Sequence, residues 1–400
     1  MLAVLPPETW DMIIDQLIYE YETLAACRLV CRQWRPRAWR VLRKGLDFYG
    51  REDVLYVAKV ARTIRSKGPR KVDLFGGNED ERGPISHLAA FVAMFAGRWT
   101  RIEDMWIREA NWGAGVFWPD TLLYLSAFTS ITALHLYGIT FPTVVTSGHL
   151  ICALPNLGWL DCDSLCFSMP FSDPLVFSKW VPKEALHRLQ LRDCPIEDIV
   201  GFLSGTKISD HITQIECSDV IHPFRIDTAH TEALNLLLST VASLDALSFD
   251  IDLAFEPAVE VRMGSRDGHH LCVENILKLK KLNIGIFLND GDSDYSWLME
   301  TLSRVASYAI RTIELQFYFD LELTDRLLLD KVTASLDHEF CMQLEQVFAL
   351  PVFANLEEVT YRLGTDSYNH IIEIAWSAAI TTRFPKLDKR GILLAITSEL

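Results

Sequence analysis

The sequence predicts an α/β chain: a short all-helical segment over residues 1–45, then an irregular solenoid over residues 46–400 with parallel strands inside and helices outside. Three observations predict it. A seven-residue phrase, apolar-x-x-apolar-x-apolar-x, recurs along the chain from position 69 onward. Between its copies lie stretches whose apolar residues fall three and four apart, the spacing of a helix with one buried stripe. The first 44 residues lack the phrase and carry a different charge, seven Lys/Arg against five Asp/Glu, leaving 31 against 48 for the remainder.

The helical segment comes first. In "LPPETWDMIIDQL" the prolines at 6 and 7 fix φ and lack N–H donors, which suits the start of a helix, where those donors have no partners. Ile13, Ile14 and Leu17 follow at helical spacing. After a polar loop, "IYEYET", a second helix is expected to carry Leu24, Cys27, Val30, Cys31 and Trp34 on adjoining turns. Two helices this short cannot bury so much apolar surface alone, so they require a partner in the rest of the chain or in another protein.

This stretch resembles the F-box motif, which begins Leu-Pro-x-Glu and ends Leu-Val-Cys-Arg-x-Trp. The match runs through Leu5, Pro6, Glu8, Ile13, Leu17, Leu24, Leu29, Val30, Cys31, Arg32 and Trp34. Thr9 departs from it, standing where the motif prefers an apolar residue, and the loop between Leu17 and Leu24 is longer than in the shortest versions. Its style is most similar to F-box proteins of mushroom-forming fungi. The resemblance implies docking on a Skp-type adaptor, and through it on a cullin, by Leu5, Pro6, Pro7, Ile13, Ile14, Leu17, Leu24, Leu29, Val30, Cys31 and Trp34. It implies the substrate-recognition subunit of a cullin-RING (SCF-type) ubiquitin ligase, in which the remainder of the chain holds a protein target. The other reading is a free-standing repeat scaffold for protein binding, with residues 5–40 as its cap.

The repeat occupies the remainder. "IEDMWIR" at 102, "ITALHLY" at 131, "LGWLDCD" at 157, "LHRLQLR" at 186, "ITQIECS" at 212, "LDALSFD" at 244, "LKKLNIG" at 279, "IRTIELQ" at 310 and "LEEVTYR" at 356 carry the phrase, and "PRKVDLF" at 69 and "LDKRGIL" at 387 are looser copies. Alternation at the end of each phrase predicts a strand with one buried face. "SHLAAFVAMFAG", "HTEALNLLLSTVA" and "SDYSWLMETLSRVASYA" predict intervening helices. In "CPIEDIVGFLSG", Pro195, Glu197 and Asp198 suit a helix start and Gly205 is placed to follow its end. The widest interval, 316–355, is expected to hold an extra helix, "DHEFCMQLEQVFAL", and 256–270 a polar excursion. One strand and one helix per repeat make the array similar to a leucine-rich-repeat horseshoe, irregular because the usual later Asn or Cys is mostly missing. A doubly wound sheet is the alternative, disfavoured by the lack of a glycine-rich phosphate turn.

Strand parity selects the side chains that leave the core. Positions three, five and seven of each phrase place Trp106, Arg108, His135, Tyr137, Trp159, Asp161, Arg188, Gln190 and Arg192 on the open face, a mixture of aromatics and arginines typical of binding hot spots. These are the expected target-binding residues.

Other functions find little support. The net charge of −15 argues against nucleic acid and against an anionic membrane surface, because both require many Lys/Arg contacts. No apolar run reaches the roughly 20 residues needed to span a bilayer. The first residues lack the basic and apolar regions of a secretory signal, the nine cysteines are an odd number, and no Asn-x-Ser/Thr occurs, which together fit the cytoplasm or nucleus. Cys27/Cys31 and Cys162/Cys166 have zinc-like spacing without a second pair to complete a site. "DGDSD" at 290 lacks the glycine and the bidentate Glu of a calcium loop, and His269 and His270 sit beside Asp267 in a polar loop. No nucleophile elbow, zinc-protease helix or phosphate loop occurs. The chain is expected to be no enzyme and to need no cofactor or metal.

Overall fold

The computed structural model describes residues 6–17, 21–42, 44–64, 67–78, 80–113, 119–169, 186–206, 208–218, 228–241, 243–252, 271–288, 296–319, 325–365 and 370–399. Leu5, the excursion 256–270 with His269 and His270, and "DGDSD" at 290–294 lie outside them. The chain divides into two compact units, Met1–Leu186 and His187–Leu400.

The first unit begins with three helices, α1 (Pro7–Gln16), α2 (Tyr21–Val30) and α3 (Trp34–Leu42). Pro6 caps α1 in an extended conformation and Pro7 opens it. The sequence placed Trp34 on the second helix. Instead α2 ends at Val30, and a turn carries the chain into α3, where Pro36 falls within the first turn and its missing N–H costs nothing. Ile14, Leu24, Cys27, Ala38 and Val41 form a small core shared by the three helices, with Leu17 and Trp34 packed against it. Arg37 on α3 clasps the Asp15 carboxylate on α1, Nε to Oδ1 at 2.6 Å and Nη2 to Oδ2, and that bond holds the Asp15 carboxyl below the usual aspartate range.

Strands and helices then alternate: β1 (Gly45–Phe48), α4 (Arg51–Ile64), β2 (Lys71–Phe75), the two-residue β3 (Gly83–Pro84), α5 (His87–Phe95), β4 (Asp104–Asn111), α6 (Pro119–Leu125), β5 (Ala133–Phe141), α7 (Val144–Ala153), β6 (Trp159–Asp163) and the two-residue β7 (Cys166–Phe167). The strands are parallel in the order β1-β2-β4-β5-β6, with β3 added to β4 and β7 to β5. Beneath them an aromatic layer is buried: Phe91 stacks on Phe128 at 5.8 Å and meets Phe48 edge-on at 5.4 Å, and Phe95 stacks on Trp99 at 3.7 Å.

The second unit repeats the alternation with β8 (Arg188–Arg192), α8 (Ile196–Thr206), β9 (Gln214–Ser218), α9 (Thr228–Thr240), β10 (Ala246–Asp252), β11 (Lys281–Leu288), α10 (Ser296–Ser303), β12 (Thr312–Phe319), α11 (Asp325–Ser335), α12 (His338–Val347), β13 (Glu358–Thr365), α13 (His370–Arg383), α14 (Pro385–Lys389) and β14 (Leu393–Glu399). These strands too are parallel and pair in chain order. The interval 316–355 holds two helices rather than one, with Asp337 capping α12 through the Phe340 N–H at 2.7 Å. Gly205 lies inside α8, one residue before its end, not after it.

A second periodic feature lies in the backbone. The carbonyl at the second position of a phrase accepts two N–H groups from the next phrase: Glu103 from Thr132 and Ala133, His187 from Thr213 and Gln214, Asp245 from Lys280 and Lys281, Arg311 from Glu357 and Glu358, all between 2.7 and 3.1 Å. Each repeat is thus pinned to its neighbour where its strand begins, the nearest-neighbour logic of a leucine-rich-repeat-like array. The strand ends have their own device. Among the described residues the eighth is left-handed in three repeats of the first unit, Glu109 (φ 46°), Gly138 (φ 62°) and Ser164 (φ 53°), and in one of the second, Asp193 (φ 44°).

"LDKRGIL" does not hold the last strand in the expected register. Residues 385–389 form α14, and β14 starts at Leu393, paired with Val359. A proline at 385 that opens a helix overrides the weak apolar pattern that follows it.

Candidate functional site

Parity holds in both units. Positions four and six of the phrases are buried: Met105 and Ile107, Leu134 and Leu136, Leu160 and Cys162, Leu189 and Leu191, through to Val359 and Tyr361. Positions three, five and seven therefore share the opposite face.

In the first unit the parallel register sets these side chains in lateral rows. Asp47, Asp73, Trp106, His135 and Asp161 are direct neighbours across five strands, and Phe75, Arg108, Tyr137 and Asp163 form the next row. His135 lies flat on Trp106, ring centroids 3.9 Å apart and planes 9° apart, while Trp159 meets its other side edge-on at 4.7 Å. Its Nδ1 is 2.9 Å from Asp161 Oδ2. The sequence reading expected His135 and Asp161 to project into solvent, yet they are only 3% and 4% exposed. The two indoles fill the space beside them, so the open face has a buried polar centre. Tyr137 is exposed, and Trp106, Arg108 and Trp159 are partly so.

The sequence missed the residues that complete this cluster. Asp73 takes Lys71 Nζ at 3.0 Å and Arg108 Nε at 3.3 Å, and both cations lie over the Trp106 ring, at 4.2 and 4.3 Å from its centroid. Tyr49 stacks on Phe75 at 4.7 Å. Lys71 and Asp73 occupy positions three and five of the loose phrase at 69, so the same parity identifies them. Asp47 lies on β1, a strand no phrase marked. Burial pushes the carboxyls of Asp47 and Asp104 above the usual aspartate range.

In the second unit Gln190 Nε2 donates to Glu216 Oε1 at 2.8 Å and Arg188 approaches Glu216 Oε2 at 3.6 Å. Arg192 is in register with Ser218. Lys281 and Arg362 both pair with Glu314.

The expected adaptor residues separate into two groups. Ile14 and Leu24 are buried in the helices' own core, so they join α1, α2 and α3 instead of presenting a surface. Leu17 and Trp34 flank that core, Trp34 against Trp10 at 4.5 Å. Pro6, Pro7, Ile13, Leu29, Val30 and Cys31 are exposed, Leu29 by 85% and Val30 by 60%, and the unassigned Met12 joins them at 64%. Cys27 is buried and Cys31 exposed, Cys162 buried and Cys166 exposed, and among the described residues no group of His, Cys, Asp or Glu could hold a metal ion. No helix among them is long and apolar enough to cross a membrane.

No family model matches the chain. No curated protein matches it either. Among solved structures, human 5T4 (Wnt-activated inhibitory factor 1, trophoblast glycoprotein) aligns with a TM-score of 0.36 and 16% sequence identity over 68% of this chain and 84% of that one. A likeness at that level supports nothing about function, and the repeat architecture rests on the strand register and the carbonyl ladder.

Proposed function

We propose that this chain is the substrate-recognition subunit of a cullin-RING (SCF-type) ubiquitin ligase, acting in the cytoplasm or nucleus. The helices α1–α3 dock a Skp-type adaptor, and the open face of the strands holds a protein target. Its contribution is proximity and orientation: the target is fixed near a transferring enzyme that supplies the chemistry.

One observation carries the reading. The helical segment has a core of its own whose buried members all fall between residues 14 and 41, yet it leaves Met12, Ile13, Leu29 and Val30 uncovered. A cap on the repeats would turn its apolar residues toward residues 45–75. A docking module holds itself together and keeps an apolar surface for another protein. Co-purification of the full chain with a Skp-type adaptor tests this, and a Leu29→Glu/Val30→Glu variant that keeps its melting curve is expected to lose the adaptor. Binding that survives those two charges would return the segment to the scaffold reading.

A further inference from the structure

The charges on the open face of the first unit do not balance. Five carboxylates occupy it, on Asp47, Asp73, Asp104, Asp161 and Asp163, against two cations, Lys71 and Arg108, which is −5 + 2 = −3 with His135 neutral. Both cations are already engaged, bonded to Asp73 and laid over Trp106. Asp161 is engaged with His135. Asp47 and Asp104 are different: each is partly buried, and among the described residues neither carboxylate has a hydrogen bond or an ion pair.

A carboxylate that has lost part of its water without gaining a donor is a standing cost to the fold. A cation brought from outside would relieve that cost at neutral pH. Asp47 and Asp104 sit on strands either side of β2 and two residues out of register, about 12 Å apart by two strand spacings and a two-residue rise. Alternate side chains of an extended peptide, about 7 Å apart, cover that span with flexible Lys or Arg stems. Apolar support for such a stem is at hand beside Asp47, where Tyr49, 64% exposed, is braced by its stack on Phe75. Arginine stems and guanidinium planes favour that kind of aromatic surface. On the second unit Glu216 and Glu314 already hold arginine or lysine partners.

We propose that the open face of the first unit captures a basic, extended segment of a protein partner, pairing its Lys or Arg side chains with Asp47 and Asp104 and resting the stem at Asp47 on Tyr49. This rests on the reading of that face as the target site and names the chemistry of the target.

The test uses the full chain and fluorescence anisotropy with two labelled synthetic peptides of equal length, one alternating Arg and Ser, the other Glu and Ser. The Arg peptide is expected to bind and the Glu peptide not to. Asp47→Asn/Asp104→Asn weakens the Arg peptide about tenfold or more. Asp210→Asn/Glu232→Gln, which makes the same charge change at exposed positions of the second unit, alters it less than about twofold, since exposed charges that make no contact with the peptide are screened. Equal losses in the two double variants would reduce the effect to net charge and overturn the proposal, as would no binding of the Arg peptide. Adaptor co-purification is scored separately on the same preparations. Retained adaptor with a failed Arg peptide removes this inference and leaves the receptor reading. A site-specific Arg-peptide effect without adaptor does the reverse.

Discussion

Asp161 and His135 stand on the side of a sheet that should face water, and they are nevertheless buried, because Trp106 and Trp159 close over them. Burial changes what their removal costs. Asp161→Ala leaves the imidazole without its partner in a dry site, and leaving a buried hydrogen-bonding group unpaired typically costs about 1–3 kcal/mol; urea unfolding of the variant measures it. Trp159→Ala is likewise expected to lower stability, because the indole covers that pair. Leu134→Ala and Leu160→Ala, on the core side of the same strands, each cost about 2–5 kcal/mol by the same measurement. Asp47 and Asp104 run the other way. Their folded carboxyls titrate above the unfolded value because of burial, so the folded state binds protons first and these groups favour folding more as pH falls. Asp47→Asn/Asp104→Asn is therefore more stable than the parent at pH 7 and loses that advantage as acidification protonates the parent's two carboxyls, a convergence read from melting temperatures against pH. A pair of acids that weakens the fold and faces outward fits a role in binding.

Elements were legible where one pattern dominated. Every full phrase from 102 to 356 became a strand in the stated parity, because the apolar residues at four and six must share the buried face and a one-residue slip would expose them all. The sequence passed over β1, whose four residues "GLDF" carry only the end of the phrase, and over the two-residue strands β3 and β7, which arise from tertiary pairing. It misread the end of α2, where Pro36 in the following helix outweighs the apolar spacing of Trp34. The open face was legible in outline and its charge balance was not, since Lys71, Asp73 and Asp47 come from a loose phrase and an unmarked strand. The left-handed eighth residue gives a prediction at this scale. A Cβ on Gly138 would lie 2.5 Å from the Glu109 carboxylate, in a backbone conformation of φ 62°, whereas Gly97 at φ 68° faces open space. Gly138→Ala is expected to cost about 1–3 kcal/mol, more than Gly97→Ala, because it adds a buried contact to the same backbone strain. Chemical denaturation of the two variants side by side gives the comparison, and equal costs would mean that Glu109 moves aside freely.

At the scale of the molecule the question is whether α1–α3 serve the repeats or another protein. Their core draws its buried members from α1, α2 and α3 alone, Ile14, Leu24, Cys27, Ala38 and Val41, and the Asp15–Arg37 pair ties the first helix to the third. The repeats after residue 45 have their own buried layer, in which Phe48 meets Phe91 and Phe95. Two cores so separated predict independent loss. A chain truncated before Gly45 keeps a cooperative unfolding transition, followed by circular dichroism, and retains the Arg-peptide affinity of the full chain, while adaptor capture disappears. Trp34→Ala is the subtler variant. It removes a ring that packs on the helical core and on Trp10, so it loosens the segment as well as any contact it makes, and adaptor affinity falls by the about 2–4 kcal/mol typical of a lost aromatic anchor. The cooperative transition of the repeats should stay where it was. A shift of that transition on truncating the chain or on replacing Trp34 would mean that the three helices complete the repeat core, and residues 5–40 would then be its cap.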